Sequence, residues 1–188
     1  MADSDALKVC LVGNTSVGKT CIVNRLVKGV FNNSEKPTIG SNFVTTCITV
    51  DGKPFRLAIW AGQEKYRSMV SMYYRGSVGA LIVYDVTQTQ SFQDVKMWYD
   101  ELTNTEKEVQ VIIVGNKCDL PERSVSTEDG QRIASDLHCL FCEVSALTGQ
   151  SINECFVKLA KNIKVPDAGP QYGINPAQPA KQQQDGCC

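Results

Sequence analysis

Short apolar runs alternate along this chain with longer stretches whose apolar positions recur at helical spacing. KVCLV (residues 8–12), ALIVYD (80–85), VQVIIVG (109–115) and CLFCEV (139–144) are compact, mostly apolar and bounded by turn residues, so they predict buried strands. Residues 43–50 and 55–60 predict two more strands, joined through Asp51-Gly52, a hairpin signal. Helices are predicted over 19–27, near 91–105, over 127–137 and over 151–163. In the last, Ile152, Cys155, Phe156, Leu159 and Ile163 fall on one apolar face. Apolar strands separated by helices predict an α/β architecture: a mostly parallel six-stranded sheet covered on both faces, with the hairpin adding one antiparallel edge strand.

From Val165 the pattern stops. VPDAGPQYGINPAQPAKQQQDGCC is rich in Pro, Gly and Gln and cannot bury enough apolar surface to offset the entropy of ordering. Residues 1–164 are therefore expected to form one domain and 165–188 a flexible tail.

Composition adds limits. The 188 residues are 43% hydrophobic and 21% charged, with a net charge of -1 and no long block of Lys or Arg. General nucleic-acid binding needs phosphate neutralisation, so nucleic acid is not an expected partner. No apolar run reaches the roughly 18 residues of a membrane span. The acidic start MADSDALKV does not read as a secretory signal, so a cytoplasmic chain is expected. There are nine cysteines and one histidine, His138. Cys139 and Cys142 form a single C-x-x-C, too few ligands for a zinc site. Several cysteines sit inside apolar runs, where a free thiol acts as a small hydrophobe.

The first strand leads into GNTSVGKT, Gly13 through Thr20, and then a helix. This is the G-x-x-x-x-G-K-[ST] pattern in its strand-loop-helix setting. Glycines allow close approach of backbone to phosphate, and successive N–H groups at a helix start point at the anion. Lys19 is the candidate for the β- and γ-phosphates and Thr20 for Mg²⁺, within a loop that also includes Thr15, Ser16, Val17, Gly18 and the following Cys21. A nucleoside triphosphate is implied, with its base open. NKCD (116–119) after the strand VQVIIVG selects guanine: a carboxylate at Asp119 can accept from N1–H and the exocyclic amine, whereas adenine offers no matching pair of donors. Ser145, Ala146 and Leu147, after the last strand, form a third contact loop.

With these motifs in place, the chain resembles small Ras-like GTPases and most closely their Rab branch, over residue 8 to about residue 163. IGSNF, RLAIW, QEKYRS, YYRGS and VYDVT carry the likeness. The resemblance implies a three-layer P-loop GTPase fold, and a monomer is expected. It implies that Phe31 stacks on guanine, that Thr38 binds Mg²⁺ and the γ-phosphate, that the Gly62 N–H meets that phosphate and that Gln63 orients the attacking water. Gln63, Thr38 and Lys19 are the candidate catalytic set, with Asn116, Lys117, Asp119, Ser145 and Ala146 around the base. Phe43, Trp60 and Tyr73 match an apolar triad shown to effectors. Exchange factors, GTPase-activating proteins, prenylation machinery and a GDP-dissociation inhibitor are implied partners. The terminal Cys187 and Cys188 resemble a Rab prenylation end, implying two lipid groups and attachment to the cytosolic face of endomembranes.

Three departures stand out. Asn42 replaces a usual Asp, and Leu147 a common Lys. More consequentially, the pattern W-D-T-A-G-Q-E is here WAGQE, without the Asp that holds a water on Mg²⁺. Two missing residues span up to about 7 Å. Either the strand slips by two, placing Ile59 at the aspartate position, or it stays in register and the following loop tightens. Both predict weaker Mg²⁺ dependence and slower hydrolysis, with guanine nucleotide binding retained. The competing functional readings are a nucleotide-binding scaffold with little or no turnover and, needing an acceptor pocket and lid not visible in the chain, a P-loop kinase. Asp85 is read as an ordinary strand-end position that does not replace the lost carboxylate.

Overall fold

The structure is a computed structural model that describes residues 6–31, 42–61 and 74–164. Strands β1 (Leu7–Val12), β2 (Asn42–Val50), β3 (Lys53–Ala61), β4 (Gly79–Asp85), β5 (Gln110–Asn116) and β6 (Leu140–Val144) form one sheet in the order β2-β3-β1-β4-β5-β6. Pairings are parallel except β2 with β3, so the predicted architecture holds, antiparallel edge included. Among the described residues the helices are α1 (Lys19–Lys28), α2 (Thr89–Gln93), α3 (Val95–Thr105), α4 (Thr127–Asp136) and α5 (Ile152–Asn162).

The central strands read as unbroken apolar runs because both faces are covered. Val9, Leu11, Leu81, Val83, Ile112 and Val114 face one core with Ile22 and Val23 of α1 and Phe156 and Leu159 of α5. Their alternates Cys10, Val12, Ala80, Ile82, Tyr84 and Ile113 face a second core with Trp98 and Leu102 of α3. A strand's period of two thus supplies two cores from one run. Cys139 packs against the second core and Cys142 against the first, so their C-x-x-C spacing does not make a paired site. Burial raises the Cys10 thiol to about 11 and Cys139 to about 12, which keeps both neutral. All described cysteines are free thiols.

One helix differs from expectation. Residues 91–105 were expected to run as a single helix, but α2 and α3 meet at Asp94 (φ -79, ψ -6). The bonds from Asp94 N–H to the Gln90 carbonyl and from Trp98 N–H to the Asp94 carbonyl persist, so the break is a local opening. Elsewhere predicted boundaries move by one or two residues, as fraying ends do.

Phe156 is almost wholly buried between α5 and the sheet. Phe156→Ala should lower the unfolding free energy by about 3–5 kcal/mol, measured by denaturant titration, because the cavity adds to the lost transfer energy.

Candidate nucleotide-binding site

All the motif loops lie at the C-terminal edge of the parallel strands, where ligands of open α/β sheets gather. The first leaves β1 at Gly13 (φ 134), where a Cβ would sit 2.1 Å from the Val83 carbonyl oxygen, so no other residue fits. Ser16 takes a left-handed conformation (φ 67), and buried Val17 anchors the loop to the core. Gly18 (φ 96) caps α1 and brings no side-chain oxygen to occupy the first-turn N–H groups, which suits an anion. The Lys19 side chain, 5% exposed, curls back over this loop. Its Nζ donates to the carbonyls of Gly13 at 2.9 Å and Asn14 at 2.6 Å. Thr20 and Cys21 follow in the first turn of α1.

Asn116, at the end of β5, joins this loop to the other two. Its Nδ2 donates to the Val17 carbonyl at 2.8 Å, and its Oδ1 accepts from the Ala146 N–H at 3.2 Å. The contact is close enough that a Cβ on Gly18 would lie 2.3 Å from that Nδ2. Lys117 is left-handed (φ 67), and the Leu120 N–H closes a turn back onto its carbonyl, with half-buried Asp119 between them. The Cys118 N–H reaches the Val144 carbonyl at 3.2 Å and ties this turn to β6. The third loop is closed by its own bonds: the Ser145 Oγ accepts from the Thr148 N–H, and the Gly149 N–H donates to the Ser145 carbonyl. Phe31, partly buried, packs at the edge of the first core.

Two site residues emerge that motif reading does not supply. Asp85 is fully buried at the end of β4, directly across from Asn116. Its Oδ2 lies 2.5 Å from the Lys117 Nζ, and its Oδ1 accepts from the Thr87 N–H and hydroxyl. It is therefore no metal substitute, as expected, but neither is it an ordinary strand end: it fixes the lysine of the guanine motif. An acid closing a buried strand beside the motif strand was the available signal. Arg25 of α1 donates through Nε to the Ala146 carbonyl at 2.9 Å and through Nη2 to the Leu147 carbonyl, holding the third loop against α1. These partners are 121 and 122 residues away, so no local pattern marks Arg25. Leu147 itself points outward, 45% exposed.

The strand leading into the shortened segment is described as far as Ala61. β2 and β3 form an unbroken ladder from Val50↔Lys53 to Phe43↔Trp60 and Asn42↔Ala61. Ile59 pairs with Val9 and Val44 and is completely buried. The tight Asp51-Gly52 hairpin fixes the register. Ala61 follows Trp60 in the aspartate's place, 2% exposed beside Leu11. A methyl group cannot hold a metal-bound water. Thr20 suits Mg²⁺ as a hydroxyl ligand, and no group of three or more His, Cys, Asp or Glu side chains that could hold a metal ion occurs among the described residues. Phe43 and Trp60 are cross-strand neighbours, ring centroids 4.8 Å apart and inclined at 50° to each other, with Phe43 47% exposed and Trp60 partly buried. Thr38, Gly62, Gln63, Tyr73, Cys187 and Cys188 lie outside the described residues.

A parallel-sheet P-loop fold with these three loops at one edge defines a Ras-like nucleotide-switch protein. The Ras family model matches residues 8–165. Ras-related protein Rab-22A of Mus musculus is 42% identical over 171 residues, covering 89% of this chain and 88% of its own length. Ras-related protein RABA1b of Arabidopsis thaliana is 44% identical over 160 residues, 83% of this chain and 74% of that protein. GTP-binding protein ypt2 of Schizosaccharomyces pombe is 41% identical over 162 residues, 84% and 81% respectively. The chain belongs to the Ras family, in its Rab branch of small GTPases, a class of GTP hydrolases.

Asp85→Ala should free Lys117 and weaken GDP binding about tenfold, since a charge-assisted contact is worth roughly 1.5 kcal/mol. Fluorescence titration with labelled GDP measures the effect.

Proposed function

We propose that this protein is a Rab-type switch in vesicle traffic that binds GDP and GTP through Gly13 to Cys21, the 116–119 turn and the 145–147 loop, and hydrolyses GTP slowly. The observation that carries this reading is the pair of hydrogen bonds made by the Asn116 side chain, which ties the phosphate loop to the base loops as one unit. A ligand filling both would be a purine nucleotide with at least a diphosphate. Lys19, held by the loop carbonyls, is already aimed over the phosphate cradle and can exchange those neutral acceptors for charged oxygens. Asp119 would select guanine, and Phe31 would cover the ring.

Catalysis is assigned to Gln63 for the attacking water, with Thr38 and Lys19 on the transferred phosphoryl group; Thr20 and Thr38 would hold Mg²⁺. A bound Mg²⁺ would supply charge neutralisation at the phosphates. With Ala61 in place of the carboxylate, that contribution is weakened. Phe43, Trp60 and Tyr73 are assigned to effector recognition, and the exposed Phe43 ring packed against partly buried Trp60 supports this. Prenyl groups on Cys187 and Cys188 would attach the chain to the cytosolic face of endomembranes, with prenylation machinery, a GDP-dissociation inhibitor, exchange factors and activating proteins as partners. The Ala61 substitution also favours a second reading, a guanine-nucleotide-binding scaffold with negligible turnover.

One comparison separates the readings. Inserting Asp-Thr between Trp60 and Ala61 should raise single-turnover GTP hydrolysis about 10- to 100-fold and steepen its Mg²⁺ dependence, the range typical of lost outer-shell metal partners. Equal rates would refute impaired hydrolysis. Absence of any preference for guanosine over adenosine nucleotides would refute the switch itself.

A further inference from the structure

The phosphate loop is also held from outside. Asn14, an unspecified position of the glycine-rich motif, uses both ends of its side-chain amide. Its Nδ2 donates to Asp94 Oδ2 at 2.6 Å, and its Oδ1 accepts from the Trp98 indole Nε1 at 2.8 Å. The second Asp94 oxygen accepts from Gln90 Nε2 at 3.0 Å. Asp94 stands at the cap position of α3, where a carboxylate ordinarily accepts from first-turn N–H groups, yet it makes no such bond. Its charge is directed at the loop instead, at the one point where the helix opens between α2 and α3. Trp98 is buried in the second core, so its indole is a fixed reference for the amide.

We propose that Asn14 is a positioning residue for the phosphate site, clamped by Asp94 and Trp98 so that its peptide is preset for Lys19. The proposal rests on the nucleotide-binding reading above. The Asn14 carbonyl is one of two that accept from Lys19 Nζ. Locking the side chain at both ends removes rotation about that residue, and it lines up the N–H groups that follow before any anion arrives. A preset loop loses less entropy on binding, which appears mainly as slower release. The arrangement also makes the α2–α3 junction a lever: Gln90 is exposed, and it hydrogen-bonds the carboxylate that grips the loop.

The experiment is release of labelled GDP from the full chain, chased with excess unlabelled GDP. Asp94→Ala should speed release about five- to tenfold, and Asp94→Asn, which keeps an acceptor without the charge, should recover most of that loss. Asn14→Ala should match Asp94→Ala, and the double variant should be no faster than Asn14→Ala, as residues acting through one contact do. Thr103→Ala, which removes bonds only to the Tyr99 and Asp100 carbonyls of the same helix, should leave release unchanged. If Asp94→Ala does not fold, Trp98→Phe, which deletes the indole N–H and keeps an aromatic ring, should speed release about threefold. Release unaffected by Asp94→Ala, or by Trp98→Phe in its place, in a parent that holds GDP overturns the clamp alone. So does equal acceleration by Thr103→Ala, or multiplicative effects in the double variant. A parent that holds neither GDP nor GTP overturns the nucleotide reading and the clamp together.

Discussion

The side-chain amide of Asn116 is the contact on which the site depends. It has one donor group and one acceptor group directed at two different loops, and both loops leave strands that the sheet holds fixed. The Val17 carbonyl and the Ala146 N–H therefore cannot move independently. Gly18 has to lack a Cβ because this amide lies against it. The base-selecting turn and the phosphate cradle become one rigid receptor, and a ligand must satisfy both halves at once. Asp85 and Arg25 extend the same logic, one fixing Lys117 from beneath and the other fixing the third loop from α1.

Register matters in the strand that leads into the shortened segment. Sliding β3 by two residues would keep apolar groups on their faces, so burial alone does not forbid it. The two-residue hairpin and the ladder from Val50↔Lys53 to Asn42↔Ala61 hold β3 against β2 residue by residue. The loops that would hold the nucleotide follow β1, β5 and β6, and Ala61, with only a methyl side chain, lies next to Leu11 of β1.

Legibility in the sequence followed the range of each interaction. The strands were visible because a buried strand needs an apolar residue at every position, and the phosphate loop because glycine at Gly13 answers to a backbone clash. Asp94 was absorbed into a helix, since its own N–H and carbonyl keep helical bonds while its carboxylate reaches across to Asn14. Asp85 looked like the end of a strand because its partner, Lys117, comes from a different one.

By itself, then, the sequence determined the alternation of strands and helices, the loop chemistry for a guanine nucleotide and the loss of the aspartate, all properties of neighbouring residues. Only the tertiary structure decided that Asp85 serves Lys117, that Arg25 braces a loop 121 residues away, and that Asp94 and Trp98 reach Asn14 from another element. Such contacts depend on which strand lies beside which, and that order is set by packing both faces of one sheet at once rather than by any local pattern.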